Sequence, residues 1–154
     1  MMSKRVFKSD YKDNHQSSTG LLFIRVYNEW HSQVKQALRQ IDLTHPQFIV
    51  LTVLGALQMK HDLVTQVNLA NFADMDVMTV SQIVKLLSKK GLVERDSHPH
   101  DSRAKIVWLT EVGQNRMNDA IPLVEAVDKA YFGKLGHRQG GFNQLLQELE
   151  TRHG

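Results

Sequence analysis

The chain has 154 residues, 42% of them hydrophobic and 23% charged, which is enough apolar matter for one globular core and carries no signature of disorder. A formal net charge of +3 suits a polyanionic partner but falls short of the excess of a basic tail. The absence of cysteine excludes disulfides, thiolate metal sites and thiol redox switches; no stretch reaches the ~18 consecutive apolar residues of a membrane span, so the sequence reads as a soluble, cytoplasmic protein with no membrane partner.

Residues 1–18 open on Met1-Met2-Ser3-Lys4-Arg5, lack any sustained period and are expected to form a loose arm, with no apolar signal core. Phe23, Tyr27, Trp30, Val34, Leu38 and Ile41 then recur at steps of three and four, which predicts a helix near 19–40 with one stripe to bury. Thr44-His45-Pro46-Gln47 reads as a capping box with proline in the first turn, opening a second helix through Phe48, Leu51, Leu54 and Leu57. Thr65 caps a short third helix carrying Val67, Leu69, Ala70 and Phe72, and Asp74-Met75-Asp76 interrupts it. A fourth helix is expected from the cap Asp76 to Gly91, a favoured residue just beyond a helix end, with Lys89 and Lys90 complementing the dipole there.

The period changes next. Leu92 to Arg95 and Lys105 to Leu109 are short and β-rich on either side of a polar stretch, Asp96 to Ala104, and predict a hairpin with a long tip. Thr110 caps a long fifth helix carrying Met117, Ile121, Val124, Val127 and Tyr131, in which Pro122 removes one backbone donor and predicts a kink. His137 to Gly141 is expected to break the chain before a last short helix with Phe142, Leu145, Leu146 and Leu149.

The informative stretch is 65–109: a short helix, a tight turn, a second helix and a hairpin, the order of a winged helix-turn-helix. On the fourth helix Val80, Ile83, Val84 and Leu87 share one side, while Met78, Gln82, Lys85 and Lys89 share the other, with Ser81 beside them. That outer face suits a major groove, since Gln can pair with an adenine edge, Lys with guanine or phosphate, Ser with either, and Met78 can touch a thymine methyl. An ordinary solvated amphipathic helix shows the same split, and only the neighbouring turn and hairpin separate the two readings. In the wing, Arg103 can enter a narrow, electronegative minor groove, with Asp101 two residues earlier holding the guanidinium; an exposed ion pair of little worth is the alternative.

Leu69-Ala70, Thr79-Val80-Ser81-Gln82-Ile83-Val84, Lys90-Gly91-Leu92-Val93-Glu94-Arg95, Asp101-Ser102-Arg103 and Trp108-Leu109-Thr110-Glu111-Val112-Gly113 together resemble the MarR family of bacterial regulators over roughly residues 20–150. The resemblance implies a mainly α (α+β) fold, a winged helix-turn-helix of about six helices and one hairpin with flanking dimerisation helices. It divides the chain into an arm at 1–18, a dimerisation helix at 19–43, a DNA-binding domain at 44–109 and C-terminal dimerisation helices at 110–154. It further implies a repressor homodimer on a pseudo-palindromic stretch of double-stranded DNA, with residues 77–85, among them Val77 and Thr79, read into the major groove and Arg103 as the wing arginine supported by Asp101. One departure is Ser102, where the family frequently has arginine. Dimerisation is also expected from the stripes of the first, fifth and sixth helices, which a small winged domain cannot all cover.

Members of the family often bind small aromatic or anionic effectors between the dimerisation helices and the winged domain. Tyr27, Trp30, His31 and Phe48 are the candidates here, although an aromatic stripe at helical spacing is more often core. His98 and His100, even with Asp101, supply too few convergent ligands for zinc, so no metal and no cofactor is expected. No Gly-rich phosphate loop, nucleophile elbow or His-Glu-x-x-His helix supports an enzyme, and a winged module that binds protein instead of DNA remains the other alternative.

Overall fold

The structure, a computed structural model, describes residues 5–150. Among these, six α-helices and one antiparallel hairpin follow in the order α1 (Thr19–Arg39), α2 (His45–Gln58), α3 (Gln66–Ala73), α4 (Val77–Lys89), β1 (Val93–His98), β2 (Asp101–Leu109), α5 (Glu111–Phe132) and α6 (Gln139–Leu149). The mainly α winged-helix fold expected from the sequence is what is observed. Residues 1–4 of the expected arm and 151–154 of the C-terminal segment lie outside the described residues. The rest of the arm carries a short 3-10 helix at His15–Ser17 before Ser18 caps α1 through its hydroxyl.

Side-chain caps fix where the helices begin. Thr44 accepts from the Gln47 amide at 3.3 Å while the Gln47 side chain accepts from the Thr44 amide at 3.2 Å, so two orphan donors of α2 are satisfied reciprocally. Thr65 and Asn68 repeat the device on α3, and Asp76 and Thr110 cap α4 and α5. The turn between α3 and α4 is three residues long because Asp74 takes a left-handed conformation (φ 55°), from which Met75 donates back to the Ala70 carbonyl at 3.0 Å.

One contiguous core joins these elements. Val34 and Leu38 of α1, Val50, Leu51 and Leu54 of α2, Leu69 of α3, and Val80, Val84 and Leu87 of α4 are buried against Leu92, Val93 and Val107 of the hairpin and Ala120 and Val124 of α5. Each of the larger aliphatic side chains contributes roughly 1.5–3 kcal/mol of transfer free energy by this burial. The stripe on α1 is therefore satisfied only in its C-terminal half, since Phe23 and Tyr27 remain 59% and 41% exposed. On α3, likewise, Leu69 and Ala70 point inward while Val67 and Phe72 stay exposed.

Two sequence expectations change. The hairpin has no long tip: β1 pairs through His98 and β2 starts at Asp101, leaving Pro99-His100 as the turn, because backbone hydrogen bonds extend the ladder through residues with no apolar alternation. The break before α6 comes earlier, at Gly133–Arg138, where Gly136 adopts φ 58°, and Gly140 and Gly141 belong to the helix instead. As expected, α5 runs as one long helix with Pro122 inside it.

Candidate functional site

The exposed face of α4 and the wing lie on neighbouring parts of one scaffold, because α4 leads directly into β1 through Gly91, whose φ of 75° only glycine adopts without strain. Burial of Val80, Ile83, Val84 and Leu87 fixes the rotation of α4 about its axis. It leaves Val77, Met78, Thr79, Gln82, Lys85 and Lys89 exposed, with Ser81 half-buried at the margin. Leu86, 49% exposed, sits among them and was not singled out by the sequence, which offered only its apolar character. Thr79 is partly committed already: its amide and its hydroxyl both donate to the Asp76 carboxylate. Those bonds, the side-chain one foremost, hold the Asp76 carboxyl below the usual carboxylate range, so the cap is ionised at neutral pH.

In the wing, Ser97 pairs with Lys105 but the next residue, His98, pairs with Asp101, so Ser102, Arg103 and Ala104 are unmatched in β1 and form a bulge of β2. The Asp101 carboxylate accepts the Arg103 backbone N–H at 3.0 Å. The bond that Asp101 makes here is thus to the backbone of Arg103, where the sequence reading has it support the guanidinium. Asp101 and Arg103 are both exposed. At the tip, His98 Nδ1 accepts from the His100 amide at 3.0 Å and the two rings lie 6.0 Å apart; no group of three or more metal-ligating side chains converges among the described residues. The base of the wing is pinned by Val107 N–H donating to the Val64 carbonyl at 2.8 Å, a short third pairing beside β2 that the sequence did not signal.

A cleft of about 630 Å³ opens between α1, the start of α2 and the α3–α4 turn. Of the four effector candidates, Tyr27, Trp30 and His31 line it, whereas Phe48 does not and packs against the core instead. Residues missed from the sequence are Lys35 and Arg39, which follow His31 at steps of four on the same face of α1, together with His45 and Met75. The signal was present in that spacing, but a cationic helix face ordinarily reads as solvated. His31 stacks on Tyr27 at 5.1 Å, and the His31 and His45 rings are also 5.1 Å apart. Burial, and then the neighbouring His31, lower the His45 pKa against the opposing pull of Asp128, so His45 is neutral near pH 7. Asp128 itself accepts from Trp30 Nε1 at 2.7 Å, fixing the indole that forms one wall. The cleft thus combines aromatic surface, a neutral imidazole and two flexible cations at its rim.

A second, smaller groove of about 250 Å³ is lined only by apolar and aromatic side chains of α1, α5 and α6, including Phe23, Val26, Phe132, Phe142 and Leu146. Around it Leu22, Ile24, Leu145 and Leu149 are 38–79% exposed together with Val26 and Leu146.

A model of the MarR family matches residues 41–104. An uncharacterized HTH-type transcriptional regulator of Bacillus subtilis, YdcH, is 38% identical over 86% of this chain and 90% of its own length. Two solved structures share the fold at lower identity. BpsR of Bordetella bronchiseptica, whose DNA binding is regulated by 6-hydroxynicotinic acid, superposes with a TM-score of 0.78 at 23% identity over 88% of this chain and 95% of that one. A mutant MarR of E. coli complexed with operator DNA superposes with a TM-score of 0.79 at 22% identity, over 93% and 99%.

Proposed function

The chain belongs to the MarR family of transcriptional regulators, and from that premise we propose that it is a repressor acting as a homodimer on a pseudo-palindromic operator in the cytoplasm. In this reading α4 enters the major groove with Gln82 and Met78 toward base edges and Lys85 and Lys89 toward base or phosphate, while Arg103 reaches the adjoining minor groove. The observation that carries it is the pairing of an exposed, polar and cationic face of α4 with an exposed arginine at a bulge of the adjoining hairpin. Selection of bound sequences from a random DNA pool tests it. The enriched site is a pseudo-palindrome with half-site centres ~10 bp apart, set by two symmetric helices meeting one face of the duplex; a single unrepeated motif, or no enrichment, defeats it. On that site Gln82→Ala costs ~1–3 kcal/mol at one base position, whereas a phosphate role for Lys85 makes Lys85→Ala weaken all sequences alike.

The homodimer is supported by the apolar band of α1, α5 and α6, which is too large and continuous for a surface left to water. An isologous pairing of that band covers it from both sides at once. Light scattering at micromolar concentration is expected to give twice the chain mass, and a monomer there refutes the pairing.

The cleft of about 630 Å³ supports the further reading that a small aromatic anion releases the DNA, its ring against Tyr27 and Trp30 and its charge toward Lys35 and Arg39. Binding there favours release only if the ligand prefers one spacing of the two α4 helices over another. No enzymatic step is part of this function.

A further inference from the structure

We propose that Lys90 is the positioning residue through which the state of the cleft reaches α4, an inference that rests on the reading of that cleft as an effector site. Lys90 ends α4 and stretches across to the loop between α1 and α2. Its ammonium donates to the Asp42 carbonyl at 2.7 Å and to Gln47 Oε1 at 3.2 Å, and lies 3.4 Å from the Asp42 carboxylate. Two hydrogen bonds and an ion pair thus tie it to one short segment, residues 42–47.

The acceptors decide what this contact does. The Asp42 carboxylate is 86% exposed, so the ion pair itself is worth little. The other two acceptors are structural: the Asp42 carbonyl belongs to a residue held at φ 56°, and Gln47 is buried and also closes the capping box on Thr44. A second cation, Arg116 of α5, holds the same loop by donating to the Ile41 carbonyl at 2.9 Å. The residues that follow, Leu43, Thr44, His45 and Pro46, line the cleft. The segment thus lines the cleft with residues 43–46 and meets the end of α4 through the Asp42 carbonyl and Gln47.

The opposite end of α4 meets the cleft as well, because Met75 lines it and is bonded next to Asp76, the cap of α4. A displacement of residues 42–46 by a bound molecule pulls the C-terminal end of α4 through Lys90 while Met75 bears on the other. A 13-residue helix is about 20 Å long, so small shifts at its ends tilt the whole reading face. Without Lys90 the loop moves alone.

Coupling is reciprocal, which allows a test without knowing the natural ligand. Incorporating 5-fluorotryptophan gives two fluorine resonances, Trp30 in the cleft wall and Trp108 in the wing, assigned with Trp108→Phe. Selected operator DNA is expected to shift the Trp30 resonance in the wild type, to leave it nearly unmoved in Lys90→Met, and to shift it again in Lys90→Arg, which restores a cation. DNA affinity of Lys90→Met stays within about threefold of the wild type, and the weakening of that affinity by saturating 6-hydroxynicotinic acid, about tenfold in the wild type, falls below about threefold. A merely structural lysine gives the reverse pattern: lower melting temperature and DNA affinity, with the Trp30 shift and the ligand ratio intact. That result, or a wild-type Trp30 that DNA does not move, overturns the inference. If DNA moves Trp30 in the wild type and not in Lys90→Met while 6-hydroxynicotinic acid perturbs neither Trp30 nor DNA affinity, the coupling stands and the cleft has been assigned the wrong ligand class.

Discussion

Gly113→Ala is expected to destabilise the protein by about 3 kcal/mol or more and to lower its melting temperature by roughly 10 °C. Gly113 lies in the first turn of α5 and is buried against the backbone of Leu92; a methyl group built there falls 1.7 Å from the Leu92 carbonyl oxygen and 2.7 Å from its carbon. Flexible side chains yield to such a contact, but this one is backbone and is held from three directions. The Leu92 amide donates to the Leu87 carbonyl at 3.0 Å, the Leu92 carbonyl accepts from the Thr110 amide at 3.1 Å, and the Thr110 hydroxyl donates to the Gly91 carbonyl at 2.6 Å. Relief therefore requires separating α5 from the junction of α4 and β1, with loss of those bonds and of the packing of Leu92, which is fully buried. The matched control is Gly20→Ala in α1, where nothing lies within 4 Å of the added methyl and the helix gains propensity. Thermal unfolding of the two variants at one protein concentration decides the matter: a Gly113→Ala midpoint within about 3 °C of the wild type would falsify the account of this junction.

The close approach at Gly113 was visible in the sequence only as part of a resemblance, because a glycine in a first helical turn has no local signature of what it packs against. Helix starts were far more legible. Thr44, Thr65, Asp76 and Thr110 each carry an oxygen that can satisfy an orphan amide two or three residues on, and each is found doing so. The outer strands of the wing were not legible. Asp96 to His98 and Asp101 to Lys105 are mostly exposed on both faces, so no apolar alternation marks them and only backbone pairing defines them. The face of α4 followed from its buried side, whereas the cleft depended on side chains that tertiary contacts re-aim. Phe48 shares the aromatic character of Trp30 but turns to the core, and Lys35 and Arg39 look like ordinary surface cations until the loop at 42–46 closes beside them. Lys90 read as a charge at a helix end, and its reach to Asp42, 48 residues earlier in the chain, is a property of the fold alone.

Arg103→Ala is expected to reduce operator affinity by tenfold or more, on the order of 1–3 kcal/mol, while leaving the melting temperature within about 1 °C. The two halves of that expectation have one cause. Arg103 is exposed on a bulge near the tip of the hairpin, outside the core, so the fold does not rest on its side chain, which is free for the DNA contact proposed above. Removing a cation that contacts phosphate also flattens the salt dependence of binding by about one unit of slope, and by less if the arginine reads groove width. Asp101→Ala supplies the sharper discrimination, because deleting a negative charge beside DNA favours binding by simple electrostatics. Its carboxylate, however, accepts the Arg103 amide and so shapes the bulge that presents the arginine. Affinity is therefore expected to fall, by less than for Arg103→Ala, since the guanidinium survives on a looser backbone. Asp101→Asn keeps an acceptor oxygen for that amide while losing the charge, and it is expected to bind at least as well as the wild type. The double variant Asp101→Ala/Arg103→Ala is expected to bind no more weakly than Arg103→Ala alone, because a bulge with nothing to present has no further contact to lose. Tighter binding by Asp101→Ala together with normal binding by Arg103→Ala across a salt titration removes the wing from the interface, and leaves α4 to recognise DNA without it.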